Sequence, residues 1–360
     1  MKFCIVVGTR PEIIKMSPII RLCQKNQLNY FILHSGQHYS YDMDKVFFEN
    51  LELPDANYNL DVGSGSHGVQ TAEILHKTEE ILLKEKPDII LVEGDTNTVF
   101  ASALAASKLG MKVGHVEAGL RSYDRTMPEE INRVLTDHIS DLLFCPTEKA
   151  KKTAFKEGIK ENKIYVTGNT IVDAVEQNKE IAFKKSIILE KLSLKKQNYF
   201  LVTAHRQENV DKKEKLINII KALDKINKKY SLPVIYPIHP RTKNKLKLFN
   251  IKIPENISFV SPLNFLDFLQ LEANAKLILT DSGGVQEESC ILKNPCVTLR
   301  ENTERPETLT VGSNMLAGTN PDKILNTVKI MLDRKRDWKN PFGSGNAAEQ
   351  IMQIINHKNG

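Results

Sequence analysis

FCIVVGTRPEIIKMSPII, residues 3–20, predicts a buried strand that leads directly into a helix, and this unit sets the architecture of the chain. Its first residues are apolar without interruption, which is typical of a strand covered on both faces. A Gly-Thr-Arg turn follows, and a proline stands at the first helical position, where its missing N–H group costs nothing. Because a helix N-terminus attracts anions, the stretch predicts an anion-binding turn with Arg10 and Lys15 beside it. A tight turn with two solvated cations is the alternative interpretation.

The same alternation of apolar runs and helical patterns continues along the chain. Strands are predicted at residues 3–7, 29–34, 88–93, 112–116, 141–145, 163–166, 198–203, 233–238, 256–260, 276–280 and 295–299. Helices are predicted at residues 11–26, 71–85, 96–109, 129–138, 211–228 and 320–334. Continuously apolar strands separated by helices indicate parallel sheets covered on both faces. The predicted fold class is therefore α/β, with doubly wound, Rossmann-like sheets.

The alternation breaks at residues 170–197, where a helix and a polar, Lys-rich tract precede the next strand. A chain of 360 residues is long for one core, so we predict two Rossmann-like domains, at residues 1–170 and 171–345. A Gly-rich break, NPFGSGN, precedes a last helix. We predict that residues 346–360 pack back on the first domain.

The composition is that of an ordinary soluble protein, with 41% hydrophobic and 26% charged residues. The net charge of +6 comes largely from Lys-rich stretches that are typical of solvated faces. No zinc knuckle, RNP-like aromatic pattern or basic heptad arm accompanies this charge, so we expect no nucleic-acid partner. The net positive charge is at least as consistent with an acidic small-molecule ligand as with nucleic acid.

Cysteine usage and the absence of targeting segments indicate the cytoplasm. The five cysteines show no C-x-x-C spacing, and their apolar surroundings favour reduced thiols. The segment before Arg10 is too short for a signal peptide, and no apolar run approaches the ~18 residues of a membrane span. We therefore expect a soluble, cytoplasmic protein with no membrane partner.

Three carboxylates of the first domain are candidates for acid–base chemistry. Ligands of open parallel sheets gather beyond the carboxyl ends of the strands, and Asp95 and Glu117 each come just after an apolar run. Asp95 is also a suitable N-cap for the next helix, which is its structural alternative. Glu129 and Glu130 open a helix, where acidic side chains complement the dipole, so one of the two is expected to have only that role.

In the second domain, a Ser-Gly-Gly turn leads from a predicted strand into a helix. Ser282, Gly283 and Gly284 would let the backbone approach a pyrophosphate closely, with the helix dipole behind it. Glu288, one turn further, is placed to accept hydrogen bonds from a ribose, and a solvated helix glutamate is the alternative. Basic side chains follow other strands or lie in a loop that favours binding over packing: His205, Arg206, His239, Arg300 and Arg305.

Eight motifs appear in order along the chain. They are G-T-R-P-E-I-I-K, G-D-T-N-T, H-V-E-A-G-L-R, P-E-E-I-N-R, G-N-T-I-V-D, T-A-H-R, T-D-S-G-G-V-Q-E-E and T-E-R-P-E. Through these residues the chain resembles the non-hydrolysing UDP-N-acetylglucosamine 2-epimerases of bacteria and archaea. The resemblance runs from about residue 3 to the last helix.

This resemblance implies a glycosyltransferase-B-like fold, with UDP held mainly by the second domain and the sugar in a cleft between the two. It implies a homodimer that reversibly interconverts UDP-N-acetylglucosamine and UDP-N-acetylmannosamine without metal, nicotinamide or other cofactor. The positions that match catalytic or cleft residues of the family are Arg10, Lys15, Asp95, Glu117, Glu129 and His205. The positions that match nucleotide contacts are Ser282, Gly283, Gly284, Glu288 and Arg305.

Some members of the family bind a second UDP-N-acetylglucosamine as an activator. The positions near those that such members use are Gln37, His38, Gln70, Arg206 and His239. The frequent family motif H-R-R-E-N reads H-R-Q-E-N at residues 205–209, so one arginine is missing. The activator site therefore stays an open question at this point.

The mechanism that the resemblance implies breaks the C1–O bond first, so that UDP leaves and positive charge at C1 acidifies the C2–H bond. A carboxylate then removes the proton to give 2-acetamidoglucal, which is reprotonated on the opposite face before UDP adds back. Arg10, His205 and the turn at Ser282 would stabilise the departing diphosphate. We favour Asp95 for proton abstraction, and Glu117 or Glu129 for proton return.

Other functions stay open on the sequence alone. A hydrolysing 2-epimerase, which releases N-acetylmannosamine and UDP, shares the fold and much of the motif set. A related 2-epimerase would act on UDP-N-acetylfucosamine or on a diacetamido-uronic sugar. A retaining glycosyltransferase would require an acceptor sugar, and a non-catalytic nucleotide-sugar sensor would not need three carboxylates.

Overall fold

The computed structural model describes residues 1–36 and 41–359. Its strands are β1 Lys2–Val7, β2 Asn29–His34, β3 Tyr58–Asn59, β4 Ile89–Glu93, β5 Lys112–Val116, β6 Leu142–Cys145, β7 Ile164–Val166, β8 Phe200–Thr203, β9 Val234–Pro237, β10 Ile257–Val260, β11 Leu277–Thr280, β12 Cys296–Thr298 and β13 Asn314–Leu316. Its α-helices are α1 Arg10–Lys25, α2 Tyr41–Asn50, α3 His67–Glu85, α4 Asn97–Lys108, α5 Pro128–Ile139, α6 Glu148–Lys156, α7 Thr170–Lys185, α8 Ile188–Lys191, α9 Gln207–Val210, α10 Lys213–Tyr230, α11 Pro240–Leu248, α12 Phe265–Asn274, α13 Gly283–Ile291, α14 Pro306–Thr310, α15 Pro321–Leu332 and α16 Ala347–Asn359.

Both sheets are parallel, which confirms the predicted α/β class. The first has the strand order β3-β2-β1-β4-β5-β6-β7, and the second has the order β10-β9-β8-β11-β12-β13. Every predicted strand is present within two residues of its expected ends. The prediction missed β3 and β13, because runs of two and three residues give no readable period.

The strand order of each sheet reverses at one place, between β1 and β4 in the first and between β8 and β11 in the second. Such a reversal leaves a crevice beyond the carboxyl ends of the two central strands, and ligands of open α/β sheets bind there. The turns that follow β1, β4, β8 and β11 therefore mark where a site is expected in each sheet.

The chain divides into two compact units, Met1–Gln177 with Phe342–Gly360, and Asn178–Pro341. The first division falls inside α7, whereas the sequence suggested a boundary near residue 170. Helix α16 belongs to the first unit, where it packs on α1. The Asp173 carboxylate caps α16 by accepting the N–H groups of Ala347 and Ala348, at 3.2 and 3.0 Å.

Apolar side chains fill the space between each sheet and its helices. In the first unit the core includes Ile90, Val92 and the small side chains of α4, which let α3 pack closely. In the second unit Leu277 and Leu279 of β11 lie in the core under α10 and α15. All five cysteines are buried and unpaired. None of the described helices is long and apolar enough to cross a membrane.

Candidate active site

The turn after β1 is held by an acid of its own helix. A Cβ atom on Gly8 would lie 2.2 Å from Thr98 Oγ1 and 2.3 Å from Ser35 Oγ, so only glycine fits there. The N–H group of Gly8 donates to Glu12 Oε2 at 2.5 Å, and the Thr96 hydroxyl donates to Glu12 Oε1 at 2.7 Å. Burial raises the pKa of Glu12 to about 7, although these two hydrogen bonds oppose the shift. The amide of Gly8 is therefore already satisfied by the protein.

Lys15 faces two carboxylates rather than an anion site, which differs from the sequence interpretation. Its Nζ atom lies 2.5 Å from Glu117 Oε2 and 3.0 Å from Glu93 Oε1. The three side chains are 12%, 6% and 2% exposed, in the order Lys15, Glu117 and Glu93. Glu117 has a left-handed backbone (φ +67°), and its Oε2 also accepts Asn169 Nδ2 at 3.0 Å.

Burial raises the pKa of Glu93 well above its usual range. Lys15 opposes that rise, while Glu117 and Glu12 reinforce it. Sequence reasoning missed Glu93 because it reads as the last residue of the apolar run DIILVE.

Asp95 is joined to the helix α5 through Arg133. The Arg133 Nη2 atom donates to Asp95 Oδ2, and its Nη1 atom donates to Glu130 Oε2 at 2.6 Å. The Asp95 side chain is 34% exposed. The N-cap of α4 is Thr96, whose hydroxyl oxygen accepts the N–H group of Val99, so the N-cap alternative for Asp95 is wrong.

The two acids that open α5 have different surroundings. Glu130 is buried and accepts the N–H groups of Ser122 and Tyr123, at 2.9 Å each, which fixes the loop before the helix. Glu129 is exposed, and its carboxylate makes no hydrogen bond or ion pair within residues 1–36 and 41–359. Of the two, Glu130 is the structural acid and Glu129 is the one open to solvent.

A buried pair supports both turns that carry the carboxylates. His115 of β5 contacts Asp137 of α5 through Nδ1 at 2.7 Å and the Gly94 carbonyl through Nε2 at 2.9 Å. Asp137 also accepts the N–H group of Gly119 and pairs with Arg121 at 2.7 Å. The pKa of Asp137 is lowered, because its hydrogen bonds and ion pairs with His115 and Arg121 outweigh the opposing effect of burial. These side chains hold the backbone on either side of Glu117 and before Asp95.

Gln70 is buried in a polar network in the first unit. Its Oε1 atom accepts Asn97 Nδ2 at 2.8 Å, and its Nε2 atom donates to the Gly63 carbonyl at 2.8 Å. Asn132 Nδ2 links the network to the Asp95 carbonyl at 3.0 Å. The other activator candidates of this unit, Gln37 and His38, lie outside the described residues.

In the second unit, a buried aspartate clamps the turn after β8. The Asp281 carboxylate accepts the N–H groups of His205 and Arg206, at 3.1 and 3.0 Å, and Asn209 Nδ2 at 3.0 Å. Asp281 is fully buried, and Arg206 is the N-cap of α9. The clamp fixes the backbone that carries His205, a role that the motif T-D-S-G-G did not reveal.

His205 and His239 lie side by side, with ring centroids 5.7 Å apart. The His205 side chain is 41% exposed, and partial burial lowers its pKa. The charge of Asp281 opposes that shift, whereas His239 and Arg206 add to it. His239 also caps α11, because its Nδ1 atom accepts the N–H group of Arg241 at 3.2 Å.

The turn after β11 is open. A Cβ atom on Gly283 would meet nothing within 4 Å, and one on Gly284 would reach only Ser282 Oγ at 4.0 Å. Neither glycine has positive φ, so neither the backbone nor its neighbours require glycine here. Ser282 is the N-cap of α13, but its side chain makes no capping hydrogen bond.

Glu288 is 8% exposed, so the alternative of a solvated helix glutamate is wrong. It interacts with Glu272 of α12, a fully buried acid. Burial, together with the neighbouring Glu288, raises the pKa of Glu272 well above its usual range. Glu288 thus lies beside a buried acid that favours its protonated form.

The arginines of the loop after β12 make internal ion pairs. Arg305 Nε lies 2.7 Å from the buried Glu287 Oε1. Arg300 pairs with Glu208 and Glu304, at 2.9 and 2.8 Å, and is itself 7% exposed. Arg300 thus fixes the loop, which differs from the sequence interpretation that favoured binding over packing.

Arg10 is the first residue of α1, and its guanidinium lies 5.7 Å from the Phe47 ring centroid.

The first unit brings Lys15, Asp95 and Glu117 to the carboxyl edge of its sheet. The second brings His205, Arg206, His239 and Ser282 to the equivalent edge of its own sheet. Within residues 1–36 and 41–359, no group of three or more His, Cys, Asp or Glu side chains is arranged to hold a metal ion.

Comparisons with known proteins agree on one family. A family model described as UDP-N-acetylglucosamine 2-epimerase matches residues 21–356. A Methanocaldococcus jannaschii relative named UDP-N-acetylglucosamine 2-epimerase is 56% identical, with 99% of each chain covered. The crystal structure of Methanocaldococcus jannaschii UDP-GlcNAc 2-epimerase in complex with UDP-GlcNAc and UDP has a TM-score of 0.90 at 57% identity, covering 99% of this chain and 100% of that one. A Pseudomonas aeruginosa relative named UDP-2,3-diacetamido-2,3-dideoxy-D-glucuronate 2-epimerase is 38% identical, again with 99% of each chain covered.

Proposed function

The chain belongs to the UDP-N-acetylglucosamine 2-epimerase family, and on that premise we propose that it interconverts UDP-N-acetylglucosamine and UDP-N-acetylmannosamine without net hydrolysis. One observation carries the proposal of catalysis rather than binding alone. Asp95 and Glu117 follow the adjacent strands β4 and β5. Arg133 holds the Asp95 carboxylate, and Lys15 holds the Glu117 carboxylate. A protein that only bound a nucleotide diphosphate would need cationic side chains facing that diphosphate. It would not need two carboxylates beside those cations.

The proposed reaction begins with departure of UDP. The C1–O bond breaks, its electron pair stays on the UDP oxygen, and positive charge develops at C1. That charge acidifies C2–H, so a carboxylate can remove the proton while the C–H electrons form the C1=C2 bond of 2-acetamidoglucal. Proton return to the opposite face of C2 and addition of UDP to C1 complete the inversion. We propose Asp95 for abstraction and Glu117 or Glu129 for return.

The second unit is proposed to bind the nucleotide. Gly283 and Gly284 leave open space at the start of α13, where backbone N–H groups and the helix dipole favour a diphosphate. The Ser282 hydroxyl is not used as a cap, and the Glu288 carboxylate is proposed to accept hydrogen bonds from a ribose. Arg10, His205 and the turn at Ser282 are proposed to stabilise the charge on departing UDP, and Arg305 is proposed as a nucleotide contact.

Product analysis tests this function against its two nearest alternatives. Purified protein is incubated with UDP-N-acetylglucosamine, and the products are separated by ion-exchange chromatography. We expect UDP-N-acetylmannosamine in a fixed final ratio, with little free UDP. Free UDP and N-acetylmannosamine in equal amounts would identify a hydrolysing enzyme instead. The same assay with a UDP-diacetamido-uronic sugar tests the other substrate class, which the greater identity to UDP-N-acetylglucosamine 2-epimerases disfavours.

We further propose that the protein is a cytoplasmic homodimer, as the family resemblance implies. Light scattering during gel filtration measures the mass directly, against 40.8 kDa for one chain. The activator site is proposed at Gln37, His38, Gln70, Arg206 and His239. A rate that rises more steeply than hyperbolically with UDP-N-acetylglucosamine would support such a site, and a simple hyperbola would argue against it.

A further inference from the structure

His115 of β5 places both of its ring nitrogens against hydrogen-bond acceptors. Its Nδ1 atom lies 2.7 Å from Asp137 Oδ1, and its Nε2 atom lies 2.9 Å from the Gly94 carbonyl oxygen. The His115 side chain is 1% exposed and the Asp137 side chain is fully buried, so water does not replace either partner. A neutral imidazole has one N–H group and one lone pair. It would donate to only one of these acceptors, and its lone pair would face the other.

A proton on the Asp137 carboxyl group would be the other way to satisfy both contacts, but the surroundings of Asp137 oppose it. Its Oδ2 atom accepts the N–H group of Gly119 at 3.1 Å and pairs with Arg121 Nη2 at 2.7 Å. A neighbouring cation and hydrogen bonds to the charged form both stabilise a carboxylate, in agreement with the lowered pKa of Asp137. Asp137 is therefore ionised, and both of its oxygens are acceptors.

The charges of this cluster balance when the His115 ring carries two protons. Asp137 faces the ring from α5, and Arg121 bridges Asp137 and Glu157, with Nη2 2.6 Å from Glu157 Oε2. Two cations then meet two carboxylates, whereas a neutral ring would leave a net negative charge in a region where uncompensated charge is disfavoured. The Cys145 thiol of β6 also lies near Asp137, but burial raises its pKa, so it adds no charge.

We propose that His115 is a buried imidazolium ion and that it is a positioning residue for the two carboxylates of the proposed reaction. Its Nε2–H group fixes the Gly94 carbonyl, directly before Asp95. Its Nδ1–H group fixes Asp137, whose other oxygen holds the backbone just after Glu117. One doubly protonated ring therefore links the turn after β4 to the turn after β5. The positioning role rests on the proposed function, whereas the protonation state does not.

NMR of protein labelled with ¹⁵N-histidine tests the protonation state. At about pH 7.5, where an ordinary histidine is mostly neutral, both ring nitrogens of His115 are expected to carry a bonded hydrogen. The signals are assigned by their loss in His115→Gln, and a lone pair on either nitrogen would overturn the proposal. If His115→Gln does not fold, neutron diffraction from wild-type crystals locates the hydrogens directly. A single hydrogen on the ring would then be the contradicting result.

The kinetics of His115→Gln test the positioning role. Glutamine donates at one end of its amide and presents a carbonyl oxygen at the other, so one of the two contacts is lost. Because misplacement of a catalytic group by about 1 Å can cost about 100-fold in rate, we expect kcat to fall about 10–100-fold, with KM and UDP affinity within about threefold. His76→Gln is the matched control, since the His76 side chain is 71% exposed on α3, and it should keep the wild-type kcat.

Two results would overturn the positioning role. One is a kcat for His115→Gln equal to that of His76→Gln. The other is a loss of UDP affinity as large as the loss of kcat, which would indicate a general disruption of the fold. A wild-type protein that forms no epimer overturns the proposed function instead, and the NMR result on His115 is independent of that outcome.

Discussion

Arg133 donates to the carboxylate of Asp95 from α5, and its second nitrogen binds the buried Glu130 at 2.6 Å. A substitution of Asp95 would therefore leave no unpaired cation, because Glu130 would still pair with the Arg133 guanidinium. The contact with Arg133 also fixes the orientation of the Asp95 carboxylate. That side chain is 34% exposed, as a group that contacts a substrate must be.

Asp95→Asn is therefore expected to remove catalysis while sparing the fold. Loss of a general base lowers kcat by about 10²–10⁴-fold, whereas UDP affinity measured by calorimetry should stay within about twofold. Asp88→Asn is the matched control, because Asp88 lies at the other end of β4, where it accepts the N–H group of Lys2. A kcat for Asp95→Asn equal to that of the control would remove Asp95 from the mechanism.

Gly284→Ala tests why glycine stands in the turn after β11. The added methyl group meets no protein atom closer than 4.0 Å, and alanine in a helix stabilises by about 0.5–1 kcal/mol relative to glycine. We expect an unchanged or raised free energy of unfolding together with UDP binding weakened at least about tenfold, because the methyl group occupies the space proposed for the diphosphate.

Gly68→Ala is the control for that substitution. Gly68 is also the second residue of a helix and also has open space around it, but it belongs to α3 of the first unit. It should show the same stability change and normal UDP affinity. Normal UDP affinity in Gly284→Ala would refute the diphosphate site at α13.

Glu12 gives the protein a pH-dependent stability. Because the pKa of Glu12 is raised to about 7 in the folded state, the folded chain keeps a proton that the unfolded chain releases near its usual pKa. The unfolded state therefore binds fewer protons between about pH 4.5 and 7, and the free energy of unfolding falls as pH rises through that window. The fall is expected to reach about 1–3 kcal/mol.

Urea unfolding of wild type and Glu12→Gln at several pH values measures this contribution. The difference between the two proteins should change across the window, because glutamine cannot titrate. Glu80→Gln, at a side chain that is 64% exposed, should follow the wild type. A constant difference between wild type and Glu12→Gln from pH 5 to 8 would contradict the raised pKa.

Asp281 is expected to be a stability residue as well as a site residue. In Asp281→Asn the new amide N–H group would face the backbone N–H groups of His205 and Arg206. Loss of charge-assisted bonds to a buried acid lowers the free energy of unfolding by about 2–3 kcal/mol. Asp322→Asn removes an exposed ion pair with Lys225 and should cost less than about 1 kcal/mol. Equal unfolding midpoints for the two variants would contradict the clamp.

The sequence predicted the strands well, because buried parallel strands are continuous apolar runs that stand out between amphipathic helices. It also predicted that Asp95, Glu117 and Ser282 lie at the carboxyl edges of the sheets, since whatever follows a parallel strand emerges there.

The partners of those residues could not be predicted from the sequence. Arg133 and Asp137 lie within α5 and look like ordinary helix charges until the helix packs beside β5. The sequence places Lys15 on a helix, but it does not show that the Lys15 ammonium group pairs with Glu93 and Glu117. Glu93 occupies a strand position that favours apolar residues, and only the pairing of β4 with β5 brings it near Glu117.

Solvent exchange at C2 of the sugar shows directly whether this chain breaks the C2–H bond. Wild-type protein is incubated with UDP-N-acetylglucosamine in heavy water, and the C2 proton signal is followed by NMR. Abstraction and return of that hydrogen predict deuterium at C2 of both epimers as equilibrium is approached. Full retention of the C2 proton, in protein that still binds UDP, would contradict the claim that this chain breaks the C2–H bond.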